Sequence, residues 1–404
     1  MTVPRFDYPY GPELIPGPTE PGDGLWRWCR LLPLDGSGSY PLQVGDTPLL
    51  RPTRLRDAVG LAGLVLKDET RTPTGSNKDR ATALCLVDAL RRGARAVAAA
   101  SSGNVAVSLA AGAAATGLPA YLFVSGHTVS PHKVALMRAF GATVLLVDGS
   151  YEQAYRLSEA ACERFGWYSR NTASNPLALQ AKKTVAFEVW EQLGRVMPEV
   201  AYVPVGDGVT LAAFALGCEE LVRCGVADRL PRIVGVQASG AAPLARAFAE
   251  GRSTWTPIEP NTIADGIDVG NPFYGEQALA AVRQTGGDFV QVDDDQLHEA
   301  VALLARTTGL LAEPAGAAAL AGAITHRPTV SPPDGPIVVL ITGTGLKDQR
   351  RLPEGGRAID VPADLDAIGR AAGVEHVWRP ATAWDSSDGE SARYHAARGF
   401  GSVR

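Results

Sequence analysis

The chain has 404 residues, 46% of them hydrophobic and 20% charged, with a formal net charge of −5. That length and composition describe a globular protein of two to three domains, or two lobes around one site, with a large buried core. The mildly acidic balance, without a basic block or a run near the roughly 18 apolar residues of a membrane span, excludes a nucleic-acid surface and a membrane-spanning role.

Residues 1–24 read as an irregular, Pro/Gly-rich N-terminal arm. They lack an apolar stretch behind a positive start, so no secretory signal is expected and the cytoplasm is the expected compartment. The stretch LPLDGSGSYPLQVGDTPLLRP is broken by Pro33, Pro41, Pro48 and Pro52. A rhythm of short apolar runs and Ala-rich runs follows. Strands are predicted at 64–67, 96–100, 120–124, 143–148, 200–205, 233–237 and 336–341. Helices are predicted at 79–93, 105–116, 132–140, 150–165, 184–193, 210–224, 296–308 and 315–323. The alternation predicts an α/β fold of two lobes, with parallel or mixed sheets covered by helices on both faces. Ligands in such folds lie beyond the C-terminal ends of the strands, so the residues after each strand matter most. From about Leu352 the rhythm stops, and 351–404 reads as a C-terminal extension. The five cysteines (Cys29, Cys85, Cys162, Cys218, Cys224) lack C-x-x-C spacing, and the six histidines (His127, His132, His298, His326, His376, His395) lack ligand spacing. Neither a disulfide framework nor a metal site is expected.

Several segments carry chemistry. In KDETRTPTGSNKDRAT, Lys78 falls where a helix begins, and Ser76 with Asp79 has the spacing of a helix cap. The helix dipole there disfavours an ammonium, which suits an amine that must attack an aldehyde. In AASSGNVAVSLAAGAAATG, Ser101, Ser102, Gly103 and Asn104 end a strand and open a helix, a turn able to bind a carboxylate. In YVPVGDGVTLAAFALGCEEL, Gly206, Asp207, Gly208, Val209 and Thr210 form a turn able to cradle a phosphate. Taken singly, either turn is equally an ordinary capped strand–helix junction. VVLITGTGLKD ends a strand at Thr342, whose hydroxyl suits a ring nitrogen, and AEPAGAAALAG supplies small residues for close packing of a helix on a sheet.

These segments, in this order, resemble the threonine synthase branch of fold-type II pyridoxal-phosphate (PLP) enzymes. GDTPLLRPTRL resembles the start of that family's catalytic region. PTGSNKDRA is similar to its PTGSFKDR lysine motif and SSGN to its Ser/Gly/Asn loop. NPLALQAKKT lines up with NPxRxEGxKT, VPVGDGVT with VPxGNxGN, and TGTGLKD with TGxGLKD. The resemblance covers about residues 26–350. It implies that Lys78 carries the cofactor and shuttles the proton, and that Asn104 bonds the ring oxygen O3′. Gly206 through Thr210 would hold the cofactor phosphate, and Thr342 would face the pyridine nitrogen. Ser101, Ser102 and Gly103 would hold the substrate α-carboxylate, with Lys133 a further substrate contact. A large PLP-binding domain at 25–84 and 184–350 and a small α/β domain at 85–183 are expected, in a homodimer whose partner molecule is a small amino-acid substrate.

The implied activity is elimination or replacement on an amino acid with a β- or γ-leaving group, by threonine synthase or a paralogue with altered substrate. A threonine/serine-type dehydratase, a diaminopropionate-type ammonia-lyase and a non-catalytic amino-acid-binding paralogue are the alternatives. The departures bear on the substrate. The family's Arg falls on Ala178 and its Glu on Gln180, which removes a bidentate phosphate clamp. The loop Asn falls on Asp207, which must point away from a bound anion, be protonated or cap the helix, and the Phe beside the lysine is Asn77. These changes predict poor use of O-phosphohomoserine.

Overall fold

The computed structural model describes residues 6–36, 39–125, 131–326, 335–347 and 356–372. Two compact units divide the chain, Met1–Glu354 and Gly355–Arg404. The second contributes one short amphipathic helix among its described residues, Leu365–Ala372. That helix was not anticipated in a segment read as an extension. The polar tail at 378–404 and His127, His376 and His395 lie outside the described residues.

The first unit holds two sheets. The larger has strands β1 (Leu49–Leu50), β2 (Leu64–Asp68), β7 (Val200–Pro204), β8 (Arg232–Ala238), β9 (Asp288–Val292) and β10 (Ile337–Ile341), in the order β1-β2-β10-β7-β8-β9. Only the β1–β2 pair is antiparallel. The smaller is wholly parallel, with β3 (Val97–Ala100), β4 (Ala120–Ser125), β5 (Thr143–Val147) and β6 (Tyr168–Ser169) in the order β5-β4-β3-β6.

The continuous apolar runs predicted strands covered on both faces, and the packing follows from the two-residue period of a strand. Val65, Ala201, Val203, Val338 and Leu340 enter one core cluster. Their neighbours Leu64, Leu66, Val200, Tyr202, Val339 and Ile341 enter another on the opposite face. Helix α12 (Pro314–Thr325) lies so close on the second face that a Cβ at Gly322 would meet Val236 Cγ2 at 2.3 Å. The small residues of AEPAGAAALAG are therefore a packing requirement.

The N-terminal arm is pinned down. The Tyr8 hydroxyl donates to Gln180 Oε1 (3.1 Å), and Lys183 stacks on the Tyr8 ring at 4.5 Å. No helix among the described residues is long and apolar enough to cross a membrane.

Candidate active site

Strand β2 ends at Asp68, a short 3-10 turn follows at Glu69–Arg71, and helix α2 (Lys78–Arg91) begins at the predicted lysine. The expected Ser76–Asp79 side-chain cap does not form. Gly75, at φ +68°, turns the chain so that Thr74 meets Asp79 instead, with its N–H at 2.7 Å and its hydroxyl at 2.6 Å. The Ser76 hydroxyl is left buried with no partner among the described residues. The backbone N–H of Asn77 donates to the Thr342 carbonyl (3.0 Å), which ties the end of β10 to the start of α2.

Lys78 Nζ donates to Asn77 Oδ1 at 3.0 Å. Burial lowers its pKa to about 8, against an opposing pull from Glu313. The Asn77 amide donates in turn to Thr210 Oγ1 at 3.4 Å, so the lysine and the glycine-rich turn meet. Gly208 in that turn sits at φ +87°, and a Cβ on it would lie 2.7 Å from the Tyr274 carbonyl. Helix α8 (Val209–Arg223) starts directly after it and presents its first N–H groups and its positive dipole end.

Asp207 points away from this helix start. Its Oδ1 accepts from the Phe273 N–H (2.6 Å) and its carbonyl from the Tyr274 N–H (2.9 Å). Burial raises its pKa to about 6. Of the possibilities open for a carboxylate here, the chain uses orientation.

Asn104 opens helix α3 (Asn104–Thr116) and is held from both sides. Its Nδ2 donates to Glu313 Oε1 (2.6 Å), and Lys347 Nζ donates to its Oδ1 (2.7 Å). Gly343 lets Glu313 in, since a Cβ there would meet Oε1 at 2.3 Å. Ser101, Ser102 and Gly103 precede this helix half-exposed, with the Gly103 N–H donating to Ser101 Oγ (3.1 Å). Thr342 Oγ1 lies 3.5 Å from the Ala315 carbonyl, at the limit of a hydrogen bond. Lys133 is buried on helix α4 (Pro131–Ala139) and pairs with Asp265 at 3.1 Å, in the turn that packs on Gly206.

Three functional candidates, Glu313, Lys347 and Arg170, had no assigned role in the sequence reading. Glu313 and Lys347 stand inside quoted motifs but gain meaning only through Asn104. Arg170 belongs to no motif. It is fully buried and donates to Thr82 Oγ1 (3.2 Å), Thr172 Oγ1 (3.0 Å) and the Lys78 carbonyl (3.2 Å). Lys182 ends helix α6 (Leu177–Lys182) and donates to Thr210 Oγ1 at 3.2 Å. Its neighbour Lys183 points elsewhere, to Glu220 at 2.8 Å and Gln180 at 2.7 Å. The Gln180 departure thus belongs to a core network with Tyr8, where Glu220 already supplies the carboxylate.

Beneath α2 lies a closed ionic network. Arg80 donates to both oxygens of Glu69 (2.7 Å each) and to both of Glu188 (2.5 and 2.8 Å), and Lys67 pairs with Glu188 at 2.6 Å. All four side chains are buried. Two cations matched by two anions hold the start of α2 rigidly under Lys78.

The donor set suits an anionic aldehyde. It offers a Lys78 amine whose pKa burial lowers, a Ser76 hydroxyl with no partner among the described residues, a helix N-terminus and the buried basic side chains of Arg170 and Lys182. With the two-sheet fold, it defines the class as PLP-dependent enzymes. The family profile described as pyridoxal-phosphate dependent enzyme matches residues 40–343, and the chain belongs to that family, in its threonine synthase-like branch. It is 34% identical over 351 residues to threonine synthase of Methanosarcina acetivorans, covering 86% of each chain. It is 35% identical over 327 residues to threonine synthase of Mycobacterium tuberculosis, covering 80% of this chain and 88% of that one. Among solved structures, a T.th. threonine deaminase matches with a TM-score of 0.63 and 28% identity, over 74% of this chain and 92% of that one. A threonine deaminase isoform from Solanum lycopersicum shares the fold, with a TM-score of 0.64 at 23% identity over 76% and 85% of the two chains. The protein is a PLP-dependent lyase acting on an amino acid.

Proposed function

We propose that this enzyme catalyses γ- or β-replacement or elimination of threonine synthase type, with Lys78 bearing the cofactor. The observation that carries the reading is the Lys78 amine, buried at the start of α2 and linked through Asn77 to Thr210 at the head of α8. Bound PLP supplies the electron sink that lets a proton leave Cα and a leaving group depart from Cβ or Cγ. The chain's own residues do the rest. Gly206 through Thr210 and the α8 N-terminus would hold the cofactor phosphate. Asn104, held by Glu313 and Lys347, would donate its second N–H to the ring oxygen, and Thr342 would meet the ring nitrogen. Ser101, Ser102 and Gly103 receive the substrate α-carboxylate, and Lys133 lies at the outer wall. Lys78, its pKa lowered by burial, accepts and returns the Cα proton.

The larger lobe of this reading carries the six-stranded sheet and the smaller lobe the four-stranded sheet. A homodimer and a cytoplasmic location complete the proposal. The names of the curated relatives support threonine formation. The Phe273 N–H that Asp207 accepts orients its carboxylate, so the expected poor use of O-phosphohomoserine rests chiefly on Ala178.

Two measurements test the reading. Borohydride reduction followed by peptide mapping should place the pyridoxyl group on Lys78; an adduct on Lys67 or Lys182 overturns the assignment. Incubation with O-phosphohomoserine, and separately with serine and threonine, should give threonine and phosphate from the first, at a low rate. Ammonia from the latter two alone would make the enzyme a dehydratase.

A further inference from the structure

Lys182 is 2% exposed, and its ammonium has one hydrogen-bond acceptor among the described residues, the Thr210 hydroxyl at 3.2 Å. No carboxylate pairs with it among those residues. The charges acting on it most strongly are Lys78 and Arg170, both positive, ahead of Glu69 and Asp207. Glu69 is committed to Arg80 and Asp207 to the Phe273 N–H. Buried ammonium groups are normally paired, because desolvation without a counter-charge is costly. Here burial, with the two neighbouring cations, holds the Lys182 pKa well below the ordinary lysine range. Its sequence neighbour Lys183, equally buried, has a partner in Glu220. The difference makes Lys182 a group that lacks its counter-ion in the protein alone. The position also lies one helical turn after Ala178, whose methyl leaves the same face of α6 free of bulk.

We propose that Lys182, with the Thr210 hydroxyl it touches, binds a phosphoryl group in this pocket. The inference rests on the placement of the PLP site at Lys78 and the 206–210 turn. Two molecules can bring that chemistry, the cofactor through its 5′-phosphate or the amino-acid substrate through a phosphate ester. In either case the dianion supplies the missing counter-charge and favours the protonated Lys182.

The variants are Lys182→Met, nearly isosteric and uncharged, and Lys182→Arg, which keeps the charge. Apoprotein is titrated with PLP and with pyridoxal, which lacks the phosphate, while holoenzyme is titrated with inorganic phosphate and followed by the cofactor absorbance. A charge-assisted hydrogen bond corresponds to about a tenfold or greater change in affinity. If the cofactor is the source, Lys182→Met loses at least about tenfold in PLP affinity and keeps its affinity for pyridoxal. If the substrate is the source, PLP affinity stays and the holoenzyme's affinity for inorganic phosphate falls by that factor. Lys182→Arg should retain much of the lost affinity in either case. Apoprotein of Lys182→Met should unfold at a temperature no lower than the parent, because an unpaired buried amine has been removed.

Unchanged affinity for both PLP and phosphate overturns the proposal. So does an apoprotein that is destabilised or fails to fold when Met is introduced, since that result makes Lys182 structural. Borohydride mapping of the same preparations separates the two readings. Absence of the Lys78 adduct in the parent sinks the site assignment, whereas an intact adduct with unchanged affinities sinks only the role of Lys182.

Discussion

Capture of PLP by the apoprotein should speed up with rising pH and level off near pH 8. The neutral amine of Lys78 is the attacking species. Its pKa of about 8, against an ordinary 10.5, leaves roughly a tenth of it neutral at pH 7. An exposed lysine would be neutral to roughly three parts in ten thousand, so burial provides about a 300-fold gain in the reactive form. Stopped-flow mixing of apoprotein with pyridoxal, whose lack of phosphate removes an ionisation near pH 6, should show the rate rising about tenfold per unit below pH 8 and flattening above it, once the aldehyde's own pH dependence, measured with a free amine, is divided out. Glu313→Gln removes the negative charge that most favours the ammonium, so the flattening should move below pH 8. The same shift predicts a stability change. Between about pH 8 and 10.5 the unfolded chain binds the proton that the folded Lys78 has lost. Apoprotein stability should therefore rise with pH across that window, by at most about 3 kcal/mol. A capture rate that keeps climbing tenfold per unit beyond pH 9 would refute the argument, because it would describe an unperturbed lysine.

Three further outcomes follow from the geometry. Arg80→Met leaves buried Glu69 and Glu188 with Lys67 as the one remaining cation of the network and should cost about 3–5 kcal/mol in urea unfolding; a loss under 1 kcal/mol would mean that the network contributes little. Gly208→Val forces a β-branched residue into φ +87° with its Cβ against the Tyr274 carbonyl. It should weaken PLP binding more than tenfold, read by equilibrium dialysis, and parent-like retention would place the phosphate elsewhere. Asp207 has its pKa raised to about 6, so the folded state holds a proton that the unfolded state releases from about pH 4 upward. Its contribution therefore falls as pH rises from about 4 to 6 and stays unfavourable above. Asp207→Asn should make apoprotein stability at pH 7 higher by about 2–3 kcal/mol at most, with little effect at pH 4; equal stability of the two proteins at pH 7 would show that the carboxylate is compensated.

Much of this was legible in the order of the residues. Strands β2, β3, β4, β7 and β10 are short, mostly apolar runs that give way to polar or turn-forming residues, and such runs are strands wherever both sheet faces are covered. The strand ends then placed Lys78, Asn104 and the 206–210 turn at helix starts, because a βα junction is local in the chain. The elements not anticipated have another origin. Strand β6 is two residues, Tyr168–Ser169, and exists only through pairing with Val97 and Ala98. Strand β9 is an edge strand whose role is set by β8. Helix α6 is six residues, too short for a 3.6-residue period to register.

The polar geometry was decided at longer range. Asn104 is aimed by Glu313 and Lys347, which lie 209 and 243 residues away, and no local spacing connects them. Asp207 faces Phe273 because the 272–274 segment brings a backbone N–H to it, 66 residues along the chain. Lys182 and Lys183 are adjacent and identical in sequence, yet the helix turns one to Thr210 and the other to Glu220. Sequence by itself determined which chemical groups stand at the strand ends. Tertiary structure alone decided which of them are compensated by a neighbour and which remain available to a ligand, because charge compensation depends on distance through space.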